Sequence, residues 1–224
     1  MPTLLPTTTF NSAASPAPHS DRPLPLHGHG VALSVAAVAI ALLVGGVTSY
    51  GQLLPGTFNW LANSVAGWSI PMALLVWFTR GGVTRSAITG GLSFVAMSVG
   101  YSIVSTLRGY PDTPEMWAAI GIIVGPVLGA AVALLRRSDR RVVAIAAGVL
   151  AGIVLGDGVR GLIAVPDGWG TWAIFLAVGT AFVAWVTTSK LRSWGSTALL
   201  AAATVVVGGA YVIFTDVILQ GLFS

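Results

Sequence analysis

The chain has 224 residues, 55% of them hydrophobic and only 8% charged, with a mean hydropathy of +0.86 and no cysteine. Soluble domains carry roughly 25% charged residues, so an ordinary soluble fold is excluded, as are disulfides, thiolate nucleophiles and cysteine metal sites. A formal charge of +4 would suit a nucleic-acid partner, but basic loops flanking membrane helices account for it better, and no nucleic acid is expected.

Residues 1–30 are rich in Pro, Ser and Thr, carry no apolar period, and read as a disordered tail on the cytoplasmic side. All three histidines, His19, His27 and His29, fall in this tail. Neither metal nor cofactor is therefore expected within the apolar part. From residue 31 onward the pattern predicts an all-α, polytopic transmembrane helix bundle forming a single domain. The spans are expected near 31–50, 63–79, 86–107, 116–135, 142–161, 170–188 and 196–219, since a crossing needs about 20 apolar residues. The second span is the exception, because the stretch leading into it, 50–71, holds Gln52, Asn59, Asn63 and Ser64 with prolines at 55 and 71. Polar, proline-broken backbone is tolerated in a bilayer only where protein or a watery cavity covers it. The count is thus seven spans, or six plus a re-entrant segment. Asn59 and Asn63 are four apart and would share a face if one helix carried both.

The charges and the tryptophans give one orientation. Arg22, Arg80, Arg85, Arg136, Arg137, Arg140, Arg141, Lys190 and Arg192, nine of the eleven basic residues, fall on one side of seven spans, and only Arg108 and Arg160 on the other. Such asymmetry places the N-terminus in the cytoplasm and the C-terminus outside. Trp60, Trp117, Trp169 and Trp172 then lie near the outer interface, with Trp77, Trp185 and Trp194 near the inner one.

Span four carries Gly121, Gly125 and Gly129, and span five Gly148, Gly152 and Gly156, each at intervals of four. Small residues at this spacing let helices approach closely in lipid. The short 136–141 connection predicts that spans four and five pack on each other as an antiparallel pair. A fainter pattern relates spans one to three to spans five to seven. It aligns Gly46-Val47 with Gly158-Val159, Trp77 with Trp185, and Gly100-Tyr101 with Ala210-Tyr211, at offsets of 112, 108 and 110 residues. With span four as linker, the two triplets would have the same orientation.

Asp157 lies about 22 Å along span five at 1.5 Å per residue. Arg160 follows three residues later, where the two would pair on one face. Asp216 sits at a similar depth in span seven, and Arg108 closes span three on the same side. An ionisable group inside a span costs about 2.5–3.5 kcal/mol on insertion scales and is a functional suspect. Together with Gln52, Asn59, Asn63 and Ser64 these four charges outline an outward-open polar vestibule. No catalytic residue is assigned. The paired-carboxylate pattern of intramembrane aspartyl proteases, Gly-x-Gly-Asp, is broken by Val154 at its first glycine, and Phe214-Thr215-Asp216 lacks that family's Tyr-Asp.

Thr48-Ser-Tyr-Gly-Gln52, Leu61-Ala-Asn-Ser64 with Trp68, Gly100-Tyr101, Arg108-Gly109, Gly125-Pro126 and Gly156-Asp-Gly158 together resemble an uncharacterised family. It consists of small multi-pass membrane proteins of actinobacteria, grouped as a domain of unknown function. The likeness covers roughly residues 40–165, with Leu-Ala-Asn-Ser its most specific piece. It implies a bacterial plasma-membrane location and says nothing of substrate. It also implies an acidic residue, commonly Glu, at the place of Asp157, so the shorter side chain here departs from the pattern.

The expected function is a small permease-like protein, or the membrane-embedded binding subunit of a transport system, with the lipid bilayer and a small-molecule ligand as partners. The alternative is a non-catalytic scaffold that assembles with a membrane-protein partner. The orientation has a direct test. A cysteine placed at Ser138 should resist an impermeant thiol reagent added to intact cells, and labelling from outside would reverse the topology.

Overall fold

The computed structural model describes residues 27–223, with side chains for 29–217; the expected tail up to residue 26 lies outside the described residues. Helix α1 spans His27–Gly51, so it starts four residues before the expected span. It stops where Leu53 and Leu54 donate back to Tyr50 and Gly51 in a turn. Pro55 follows, which has no N–H to continue a helix. A 3-10 turn, Gly56–Leu61, leads into α2, Val65–Thr79. The remaining helices are α3, Val83–Leu107, α4, Glu115–Leu134, α5, Arg140–Ala164, α6, Trp169–Val186, and α7, Trp194–Phe223. A π turn, Thr187–Leu191, extends α6.

Six of these helices are long and apolar enough to cross a membrane. The exception is α2. Its 15 residues rise only about 22 Å, short of a hydrocarbon core of about 30 Å. Where seven spans, or six plus a re-entrant segment, were expected, the structure has six long apolar helices and one short one. The reason is local: Ala62–Ser64 breaks the helix, so residues 56–61 enter as a 3-10 turn.

Glycines set the directions of the helices. On α1, Gly45 lies against the backbone of Met97 and Gly46 against Gly100 and Val104, while Gly30 lies against Arg85. Positions rise together, so α1 and α3 run parallel. The chain must then return from the end of α1 to the start of α3 through the 3-10 turn and α2. On α5, Gly148, Gly152 and Gly156 meet Ala203, Val207 and Gly208, so α5 and α7 are parallel as well. Gly121 against Phe94 and Gly129 against Ser86 make α3 and α4 antiparallel. Gly91 leaves room there for the Pro126 ring, and Gly90 for the backbone of Gly125 and Gly129.

The two glycine stripes thus serve different partners: α4 and α5 do touch as the expected antiparallel pair, but not through their glycines. Gly121, Gly125 and Gly129 seat α4 on α3; Gly148, Gly152 and Gly156 seat α5 on α7. A short connection fixes only that α4 and α5 are antiparallel. Which faces meet is decided by where small residues oppose each other, and α3 and α7 supply Gly90, Gly91 and Gly208.

The two triplets resemble each other in this packing. In each, the first and third helices are parallel and in close contact. The second helix of each triplet also ends alike. Arg80 and Arg192, 112 positions apart, are the two non-glycine residues with positive φ among those described (51° and 48°). The triplets differ in the middle helix: α2 touches α1, α3, α4 and α5, whereas α6 packs chiefly on α5.

A methyl on Gly125 would lie 2.7 Å from the Gly91 Cα, and one on Gly152 2.7 Å from the Val207 Cβ. Gly125→Leu and Gly152→Leu should each destabilise by about 1–3 kcal/mol or more. Because they wedge separate interfaces, the double variant should be additive to within about 0.5 kcal/mol. Thermal or denaturant unfolding in detergent checks this, and marked non-additivity would mean that the stripes share an interface.

Candidate functional site

The start of α2 is where the polar residues of the chain collect. A helix begins with backbone N–H groups that lack partners in the helix, and away from water each needs an acceptor. Ser64 supplies one from within, accepting at Oγ from the Gly67 N–H at 3.1 Å. The second comes from α5: Asp157 Oδ2 accepts from the Ala66 N–H at 2.8 Å. Its other oxygen, Oδ1, accepts from the Tyr211 hydroxyl of α7 at 2.6 Å. Asp157 is 4% exposed. The positive end of α2 favours a negative charge at this place, so one carboxylate ties three helices together.

Arg160 does not pair with Asp157 as the i, i+3 spacing predicts. Its Nε bonds Asp216 Oδ1 at 2.8 Å, with the side chains 18% and 46% exposed. Both oxygens of Asp157 are already taken, and the next turn of α7 brings Asp216 within reach. This is the one ion pair among the described residues.

A second polar patch joins the end of α1 to α3. Gln52 Nε2 donates to Asn63 Oδ1 at 2.9 Å and to the Tyr101 hydroxyl. Asn63 Nδ2 donates in turn to the Asn59 carbonyl at 3.1 Å. Asn59 and Asn63 therefore do not lie on one helix; a break at Ala62 separates them, and the Asn59 Oδ1 is buried without a partner. Arg108 donates to the Ser49 carbonyl and, at 2.8 Å, to its Oγ, and its guanidinium stands 4.7 Å above the Tyr50 ring.

The eight expected vestibule residues thus form two patches on either side of the start of α2. Gln52, Asn59, Asn63 and Arg108 lie toward α1 and α3, and Ser64, Asp157, Arg160 and Asp216 toward α5 and α7. Thr171 donates its N–H to the Thr57 Oγ1 at 3.2 Å and its hydroxyl to the Thr57 carbonyl at 2.6 Å, and the Trp60 and Trp172 rings meet tilted, their centres 5.8 Å apart. Trp172 packs on Ala66, beside the bonded carboxylate. Tyr101 and Tyr211 complete the two patches; the sequence offered them as a matched pair of the repeat, and Tyr101 also in the family resemblance. Among the described residues no three metal-ligand side chains stand together.

One groove lies apart from these patches. A groove of about 280 Å³ lies between α2, α4, α5 and α6, walled by Ala73, Trp77, Val132, Val154, Phe182 and Trp185. Ser69 adds a hydroxyl, buried and without a partner. Leu74, Val178 and Trp185 on its rim are 53%, 44% and 47% exposed, so it opens sideways.

Asp157→Leu should cost roughly 1–3 kcal/mol for each group it orphans, the Ala66 N–H and the Tyr211 O–H. Asp157→Asn keeps an acceptor and a donor in place and should cost about 1 kcal/mol, and Tyr211→Phe about 0.5–1.5 kcal/mol. Unfolding in detergent reads all three; equal stability of Asp157→Leu and the natural chain would deny the carboxylate its capping role.

Comparison with curated proteins and with solved structures gives no match. Residues 25–220, nearly the whole chain, match the model of a family of unknown function, DUF6518, and the chain belongs to that family.

Proposed function

We propose that this protein is a small permease-like membrane protein, or the membrane-embedded binding subunit of a transport system, that takes an apolar ligand sideways from the bilayer into the groove between α2, α4, α5 and α6. The observation that carries this reading is the groove itself, apolar, open on one side and bounded by four helices. A binding space of this kind, lined by apolar side chains with few polar groups, is the usual setting of a ligand site. The polar patches around α2 have a different part in it. Their groups are bonded largely to one another, so they hold α2 in place as one wall of the groove.

In this reading α2, entered through the 3-10 turn, makes a seventh crossing. The end bearing Arg80, Arg136 and Lys190 faces the cytoplasm of a bacterium, in keeping with the charge asymmetry of the loops. A scaffolding role is the second reading. It is favoured by α7, which packs on α5 and leaves Val205, Val206, Ile213 and Val217 uncovered, a face that a partner helix would fit.

A diazirine-bearing fatty alcohol, added to the protein in vesicles and photolysed, tests the first reading. Labelling should map to α2 and α6 around Ala73 and Phe182, and Ala73→Phe should remove it while the fold survives. Labelling spread evenly over the outer faces, unchanged in Ala73→Phe, would favour the scaffold.

A further inference from the structure

The groove has a length and a polarity that narrow its occupant. On α2 its lining runs from Ser69 to Trp77 and on α6 from Val178 to Trp185, about 12 and 10 Å at 1.5 Å per residue. One leaflet of the hydrocarbon core is about 15 Å deep. The groove is therefore close to one leaflet in length, not two. A partner helix would need a face across both, whereas a lipid tail needs only one.

The end of the groove is basic. Its two tryptophans, Trp77 and Trp185, each lie under a cation: the Arg136 guanidinium stands 4.3 Å from the centre of the Trp77 ring, and the Lys190 ammonium 5.7 Å from that of Trp185. Arg136 also donates through Nη2 to the Trp77 carbonyl, while its Nη1 is buried without a hydrogen-bond partner. Neither Arg136 nor Lys190 has a carboxylate partner, the ion pair among the described residues being Arg160 with Asp216. The one acid of the neighbouring turn, Asp139, accepts from the Arg141 N–H at the start of α5. Burial, and then Arg80 close by, push the Arg136 pKa below its ordinary value. Arg136 is half-buried and has no carboxylate beside it among the described residues, and an anion placed at the groove's end would supply the counter-charge.

We infer that the groove holds an anionic phospholipid of the same leaflet, one acyl chain lying between α2 and α6 and its phosphate resting on Arg136 and Lys190, with Arg80 adding to the field. The inference rests on the groove being the binding space and adds the ligand class. Guanidinium–phosphate hydrogen bonds are charge-assisted and directional, and each basic group near an anionic headgroup adds to the attraction.

Native mass spectrometry of the full chain, released from vesicles of equal parts phosphatidylglycerol and phosphatidylcholine, tests it. One phospholipid should stay bound per chain, with phosphatidylglycerol preferred by about tenfold, two cations contributing a few-fold each. Arg136→Gln with Lys190→Gln should lower the preference towards unity while the fatty-alcohol label still enters the groove. Should the Arg136 variant fail to fold, Lys190→Gln alone should still lower the preference, and Arg136→Lys should restore most of it. Equal retention of the two lipids with the groove still labelled would overturn the lipid class and leave the groove reading standing. An unlabelled groove with no retained lipid would overturn both. A dimer or complex whose groove is labelled only after dissociation would assign the space to protein and overturn the inference.

Discussion

The bond from the Asp157 carboxylate to the first turn of α2 is the contact on which the rest of the bundle turns. In a medium without water every backbone donor must find an acceptor inside the protein, and the first turn of α2 carries the buried Ser64 and Ala66. Ser64 covers one of its free N–H groups, Asp157 another. Without the second, the chain would have no inexpensive way to begin a helix at that depth. A charge that is expensive in lipid is retained because a helix end and a tyrosine hydroxyl both meet it.

That bond positions α2, and α2 positions the groove. The two triplets share a scheme in which parallel first and third helices interlock through glycines, as α1 with α3 and α5 with α7. They part company at the middle helix. Tyr101 meets Gln52, but Tyr211, its counterpart, meets Asp157, which reaches across to α2. In this way α2 is drawn among α1, α3, α4 and α5, while α6 stays on the flank of α5. The gap left between these two equivalent helices is the groove, and Trp77 and Trp185, 108 positions apart, line it from opposite walls.

The charges fall into two regimes. Near the start of α2 each carboxylate has an internal partner, and the arrangement serves the fold. At the other end of the bundle the cations stand over indole rings without carboxylates, an arrangement open to an anion from outside. A cation over tryptophan is held by the ring's quadrupole, which positions the charge without neutralising it.

Composition and period alone determined that the chain is a bundle of apolar helices, where each begins and ends to within a few residues, and that the start of α2 is unusual. Those properties follow from local causes: apolar length, Pro55, and Ser64 as a cap. The matched spacing of Trp77 with Trp185 and Tyr101 with Tyr211 was legible as well. Partner choice was not. Spacing put Arg160 beside Asp157, and loop length put α4 against α5, but spacing describes only one helix and loop length only direction. Which side chain meets Asp157, and which helix meets the Gly125 stripe, depends on what the facing helix offers at that height. The groove was equally invisible, since it exists only as the difference between where α2 and α6 come to rest, and that difference is set by one carboxylate whose partners lie 91 and 54 residues away.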